Sequence, residues 1–213
     1  MIGEGDIILP IMKTWFTSDQ HFGHGNIIKY CNRTIAAPAE EISRWTAEKT
    51  RVPKEAIDRM NEEMIRRFQE RVGPHDRVYF LGDFCFAKKD RAADYAMSIL
   101  SRLPGEHFFV PGNHDDREVI NLDHWKDVSP LMDIRVDGHR VTLCHYMMKV
   151  WNKAHHGALQ LFGHSHGSMA GTSQQCDVGV DAFDYAPVQL SDCLSRMKKF
   201  PKWASDDHHQ YRE

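Results

Sequence analysis

The chain has 213 residues, 41% of them hydrophobic and 27% charged, which suffices for one sizeable core and is short for two ordinary domains. Its 27 Lys and Arg against 30 Asp and Glu give a net charge of -3, which speaks against an extended surface for nucleic acid, and no apolar run nears the roughly 18 residues of a membrane span. Five cysteines at 31, 85, 144, 176 and 193 form neither an even set nor a CxxC pair, so disulfides and a thiolate zinc knot are not expected and a reducing compartment, the cytoplasm, is.

In chain order, Glu4 and Asp6 precede a short apolar run with neither a basic start nor a small-residue cleavage site, so no secretory leader is expected. Residues 13–18 (KTWFTS) read as a buried strand, and Asn26 stands as the N-cap of a short helix over IIKYC. The stretch 34–50 is charged and irregular and reads as a surface insertion with one or two helical turns. From Pro53 to residue 71 runs an amphipathic helix, with Ala56, Met60, Met64 and Phe68 joined by Ile57 and Ile65 on its apolar stripe. Residues 77–81 (RVYFL) predict a second strand, 89–102 a helix with Ala93, Ala96, Met97 and Leu100 inward, and 106–110 (EHFFV) a third strand. Segments 131–136 and 139–145 alternate about Asp137-Gly138, a hairpin signal. Further strands are expected at 159–162, 177–180 and 188–190, then a helix at 191–198 and a frayed hydrophilic tail at 204–213. A single domain over 1–203 follows, of α/β class, with a partly parallel sheet first and more antiparallel strands later.

Five polar motifs stand directly after these apolar runs: Asp19-Gln20-His21, Gly82-Asp83, Gly112-Asn113-His114-Asp115, His145 and Gly163-His164-Ser165-His166. Each alone is commonplace: GNHD suits a capped turn, and a lone histidine in a strand is usually a satisfied core residue. Together they set two Asp besides Asp115, one Asn and several His beyond the carboxyl ends of strands, where the active sites of open α/β sheets lie. Carboxylate, amide and imidazole donors without thiolate suit a pair of divalent transition metals.

In these residues the chain resembles the calcineurin-like metallophosphoesterase superfamily, whose pattern DxH, GD, GNH[DE], H, GHxH is present here in order from about Thr14 to Leu194. The wording TSDQHFGHGNIIKYCNR is similar to the small bacterial and phage phosphoesterases rather than to lipid A pathway hydrolases or purple acid phosphatases. The resemblance implies a four-layer α/β/β/α sandwich with two mixed sheets. It also implies two metal ions, Mn foremost and Fe, Ni or Zn as alternatives. One would be held by Asp19, His21, Asp83 and His166 and the other by Asp83, Asn113, His145 and His164, with Asp83 bridging.

The same resemblance makes His114 the general acid, oriented by Asp115, and a metal-bridging hydroxide the nucleophile toward a phosphomonoester or phosphodiester. The substrate expected is a phosphorylated small molecule or nucleotide; a nuclease or cyclic-nucleotide phosphodiesterase of the same fold, and less so a non-catalytic scaffold, remain open alternatives. The chain departs from the longer GDxxD form, with Phe86 in place of the second Asp. Outside the motif, His24 and Arg33 are candidate substrate contacts. Lys149, Lys153, Asn61 and the His155-His156 pair are weaker candidates, each as readily explained as solvated or merely tolerated.

Overall fold

The computed structural model describes residues 12–204, so the N-terminal run and most of the tail, with His208-His209, lie outside the described residues. Four parallel strands, β1 (Thr14–Thr17), β2 (Arg77–Phe80), β3 (Glu106–Phe109) and β4 (Asp127–Val128), form the first sheet in the order β1-β2-β3-β4. A second sheet, β5 (Leu131–Val136), β6 (His139–Cys144), β7 (Leu159–Phe162) and β8 (Gln175–Asp177), is mixed: β5 and β6 pair antiparallel, and β6, β7 and β8 run parallel. The antiparallel contribution to the first sheet is one bridge, Phe16 to Val188.

Alternation of side chains across β1, β2 and β3 builds two cores from one sheet. Trp15, Val78, Phe80 and Phe109 point to the helices, among them α1 (Gly25–Tyr30), α2 (Ala39–Ala47), α3 (Lys54–Arg71) and α4 (Ala92–Leu100). Phe16, Tyr79, Leu81 and Val110 point the other way and meet Met132, Val141, Leu143, Leu159, Leu161 and Cys176 of the second sheet. Leu190, Cys193 and Met197 of α6 (Leu190–Met197) close the edge of that inner core. The outer face of the second sheet carries Gln160 and Gln175, which bond Tyr146 and Met148 of the segment over them. That covering layer is thin, with a single 3-10 turn at Ala154–His156.

The hairpin forms as predicted, with both Asp137 (φ 49°) and Gly138 (φ 79°) left-handed, the pair of conformations a tight two-residue turn needs. Other expectations are corrected. The 34–50 stretch holds the nine-residue helix α2, which buries Ile42 and Trp45 between charged neighbours; burying Ile42 alone contributes about 1.5–3 kcal/mol. The first helix begins at Gly25 with His24 as its N-cap, because His24 O already accepts from Ile27 N, so Asn26 is inside it. A 3-10 turn at Lys89–Arg91 turns α4 so that Ala92, Ala96, Ile99 and Leu100 are buried in place of Ala93 and Met97. The expected strand 188–190 reduces to the Val188 bridge, since Gln189 and Asp192 form a capping box that starts α6 at Leu190. The short helix α5 (Arg117–Ile120) and strand β4 carried no sequence signal of their own.

Candidate metal centre

Parallel strands deliver their following loops to one edge, and here two sheets do so toward each other. The loop after β1 pairs with the loop after β2 beyond the sheet itself: Asp19 N donates to Gly82 O at 3.0 Å, His21 N to Asp83 O at 2.9 Å and Phe22 N to Phe84 O at 3.0 Å. From the second sheet, His164 N donates to both carboxylate oxygens of Asp19, at 3.0 and 2.9 Å. His145 donates from Nδ1 to Leu81 O at 2.7 Å, because a carbonyl can only accept. These bonds bring together loops 145 residues apart in sequence.

The convergence yields two donor trios from the motif residues, Asp19 with His21 and His166, and Asp83 with His145 and His164, each with its ligand atoms within 4.8 Å of one another, and a third group, Cys31 with His166 and Asp181, adjoins the first. Asp83 faces both: its Oδ2 lies 3.3 Å from His21 Nε2 and 3.6 Å from His145 Nε2. The donors fit a cation better than they fit each other. Both ring nitrogens of His21 are buried and neither makes a well-aligned hydrogen bond, the contact of Nε2 with Asp83 being a charge contact at 3.3 Å, a desolvation cost that native cores seldom accept. With its Nδ1 proton given to Leu81 O, His145 sets Nε2 against Asn113 Oδ1, 3.1 Å away, so an imidazole nitrogen and an amide oxygen converge on the second trio.

Backbone conformation shows the same purpose. Asp19 (φ 60°), His21 (φ 50°), Asp83 (φ 55°), His164 (φ 66°) and His166 (φ 49°) are all left-handed, each at a cost of roughly 1–2 kcal/mol. The glycines of the motifs permit the crowding: a Cβ on Gly163 would run into Ser18 Oγ and stand 2.6 Å from Asp19 Oδ2, and one on Gly82 would stand 2.5 Å from Gly112 N.

Electrostatics differ sharply between the two carboxylates. Burial pushes Asp19 up to about 8. Burial acts on Asp83 in the same direction, but His21, His145 and the His114 amide outweigh it and hold the group at about 2. For His166, burial opposes the charge, yet Asp181, Cys31 and Asp19 together raise it to about 10. Burial lowers His21, and burial with neighbouring His145 lowers His164. A carboxyl as reluctant to ionise as Asp19 is a natural counter-charge for a cation.

A family model described as calcineurin-like phosphoesterase matches residues 12–182. The chain belongs to the calcineurin-like phosphoesterase family. As a member it is a metal-dependent phosphoric ester hydrolase. It is 27% identical over 198 residues to the uncharacterised protein MJ1445 of Methanocaldococcus jannaschii, covering 90% of this chain and 94% of the relative. The gene 66 protein of Mycobacterium phage L5 is 26% identical over 202 residues, covering 80% and 87%. Among solved structures, the protein of unknown function AQ665 from Aquifex aeolicus shares the fold at a TM-score of 0.58 and 19% identity, over 84% of this chain and 96% of its own.

The structure of this phosphoesterase relocates several residues that the sequence singled out. Asp115 does not touch the His114 ring: its Oδ2 accepts from Asp83 N (2.8 Å) and Gly112 N (2.7 Å), and its Oδ1 from Phe84 N (2.9 Å). It fastens the second and third loops together with both of its oxygens, while His114 stands exposed beside it. Arg33, expected at the substrate, is wholly buried; it donates to both oxygens of Asp181 and to the carbonyls of Asp19 and Gln20, so none of its reach is left for an ester. His24 stands at the rim with its ring stacked on Phe86 at 4.3 Å, and burial with the neighbouring histidines lowers it to about 4.

Asn61 on α3 accepts from Gly23 N at 3.1 Å and so braces the first loop. Lys149, Lys153, His155 and His156 are exposed, the two histidines stacked on each other. Cys85 and Cys144 join no donor trio among the described residues.

Two residues were missed. Asp181 accepts from His166 Nδ1 at 2.7 Å and so turns Nε2 of that ring toward the trio. Asp177 takes Ser165 Oγ and the amides of Gly167 and Gly179, which shapes the GHSH turn. The lone acid within the apolar stretch VGVDAF was the available signal for Asp181.

Proposed function

We propose that this phosphoesterase is dinuclear, with Asp83 shared between the two trios, and that it hydrolyses a phosphomonoester or phosphodiester of a small molecule or nucleotide. The observation that carries the reading is the position of Asp83 Oδ2, in reach of a histidine from each trio. Asp19, His21, Asp83 and His166 would hold one ion and Asp83, Asn113, His145 and His164 the other. Two divalent cations supply charge for the phosphoryl oxygens and a water acidic enough to lose its proton near neutral pH.

The chain's own groups do the rest. Leu81 O takes the Nδ1 proton of His145, and Asp181, itself held by Arg33, takes that of His166, so each imidazole is oriented with Nε2 toward its trio, and His166 would give up its second proton to an arriving cation. Asn113 adds a neutral oxygen where another carboxylate would raise the repulsion between Asp19 and Asp83. His114 is tied by its amide to Asp83 Oδ1 at 2.9 Å while its ring stands free beside the centre, 5.5 Å from that of His21. There a ring N–H delivers the proton that the leaving oxygen needs.

The ligand chemistry accepts Mn, Fe, Ni or Zn, and Mn(II) is the first to test. Elemental analysis of protein loaded with Mn(II) is expected to find about two ions per chain, with hydrolysis of a nitrophenyl phosphate ester. One ion per chain at saturation would overturn the shared-aspartate arrangement.

A further inference from the structure

Around the metal centre stand three of the seven large apolar side chains that are most open among the described residues: Tyr30 at 73%, Phe86 at 49% and Tyr146 at 47%. Single exposed apolar groups need no explanation, whereas a group of them beside a polar centre marks a binding surface. Phe86 is the most firmly set. Its amide donates to Phe22 O at 2.8 Å. The His24 ring lies under it at 4.3 Å and 19°, and Tyr30 meets His24 edge-on at 6.4 Å and 78°. One face of the phenyl ring is therefore covered and held, and the rest of it is open. Phe86 also lies 6.5 Å from the His114 ring, at 68°.

We infer that the ester's leaving group carries a planar aromatic ring, and that Phe86, seated on His24, which Tyr30 meets edge-on, is the platform on which that ring stacks. The inference rests on the reading of His114 given above: the group that hands over the proton marks the side from which the alcohol departs, and Phe86 is on that side. A flat, preset wall favours a flat partner. Offset stacking needs only a π face, and the side chain that provides it loses little freedom because it is already fixed. Tyr146, which packs edge-on against His145 at 5.0 Å and His164 at 4.9 Å, borders the second trio and is not part of this platform.

The test compares kcat/KM of the Mn(II)-loaded full chain on matched pairs that share a leaving alkoxide and differ in the ring. Adenosine 5′-monophosphate is set against ribose 5-phosphate, 2-phenylethyl phosphate against ethyl phosphate, and the methyl diesters of each are run alongside. Stacking of one ring predicts a preference of about tenfold for the ring-bearing member. That ratio should fall to near one in both Phe86→Ala and Phe86→Leu, the second of which keeps apolar bulk and lacks the π face. A ratio confined to the nucleotide pair and lost in both variants supports the inference and identifies the ring as a nucleobase; one shared by the phenyl pair identifies any aryl group. Equal turnover within every pair, or a ratio that survives Phe86→Leu, overturns the platform while leaving the phosphoesterase reading intact. Failure to hydrolyse any of these esters or a nitrophenyl ester overturns both.

Discussion

His107 on β3 and His21 beyond β1 are equally hidden, at 1% and 2% exposure, yet their surroundings are opposite. His107 lies among Phe68, Phe80 and Trp125, and both of its nitrogens are matched: Nε2 with Pro104 O at 3.1 Å and Nδ1 with His124 Nε2 at 2.7 Å. Since Pro104 O only accepts, Nδ1 of neutral His107 receives the proton of His124. His21 has two unmatched nitrogens and a left-handed backbone. One histidine completes a core and the other suits a cation. Burial alone does not distinguish them; the fate of the lone pairs does.

The comparison is broken most severely at the residue common to both trios. Asp83→Asn is expected to lower turnover by roughly a thousandfold or more, the upper end for loss of a charge-stabilising group, and to release metal from both trios in equilibrium dialysis. Wild-type activity in that variant would refute the bridge. Next in size, His114→Ala should slow esters with poor alkoxide leaving groups by about a hundredfold or more, with far less effect on nitrophenyl esters, as read from parallel kcat measurements. Equal losses would remove the proton-donor role.

The core pair makes its own prediction through pH. Burial, with help from His124, lowers His107 to about 4, below the ordinary 6.5. On acidification the unfolded chain therefore binds this proton first, so the stabilisation is complete above about pH 6.5 and is lost between there and about pH 4, to an extent of roughly 3 kcal/mol. Thermal melts of chelated protein should show that slope shrink in His107→Gln. The smallest effect sharpens the contrast most: in chelated protein, His107→Leu should cost about 1–3 kcal/mol by stranding the partners of the ring. His21→Leu should be neutral or stabilising in urea titration, though it removes one metal site. A comparable loss in both would mean that the His21 nitrogens are satisfied after all.

Much of this was legible in the chain. Strands such as β2 and β7 are short apolar runs cut off by Gly82 and Gly163, and Asp137-Gly138 specified the hairpin. Helix α2 was not, because AEEISRWTA offers only Ile42 and Trp45 to a core amid five polar or charged neighbours, and the face that counts appears only when α1 is beside it. The motif residues were found as a set by their places after strands, while their division between ions came from the resemblance. Asp115 was misassigned because adjacency to His114 suggested a partner, whereas the carboxylate turns back to amides of another loop. Arg33 and Asp181 lie 148 positions apart, a pairing that no local pattern announces.

The five left-handed residues at the rim, in three loops, carry one more consequence. A segment bent against its own conformational preference springs open more readily when whatever holds it is withdrawn. Starving the protein of cations should thus loosen its tips long before its sheets, and amide exchange at positions 19–21, 83 and 164–166 should quicken while the β5–β6 hairpin stays protected.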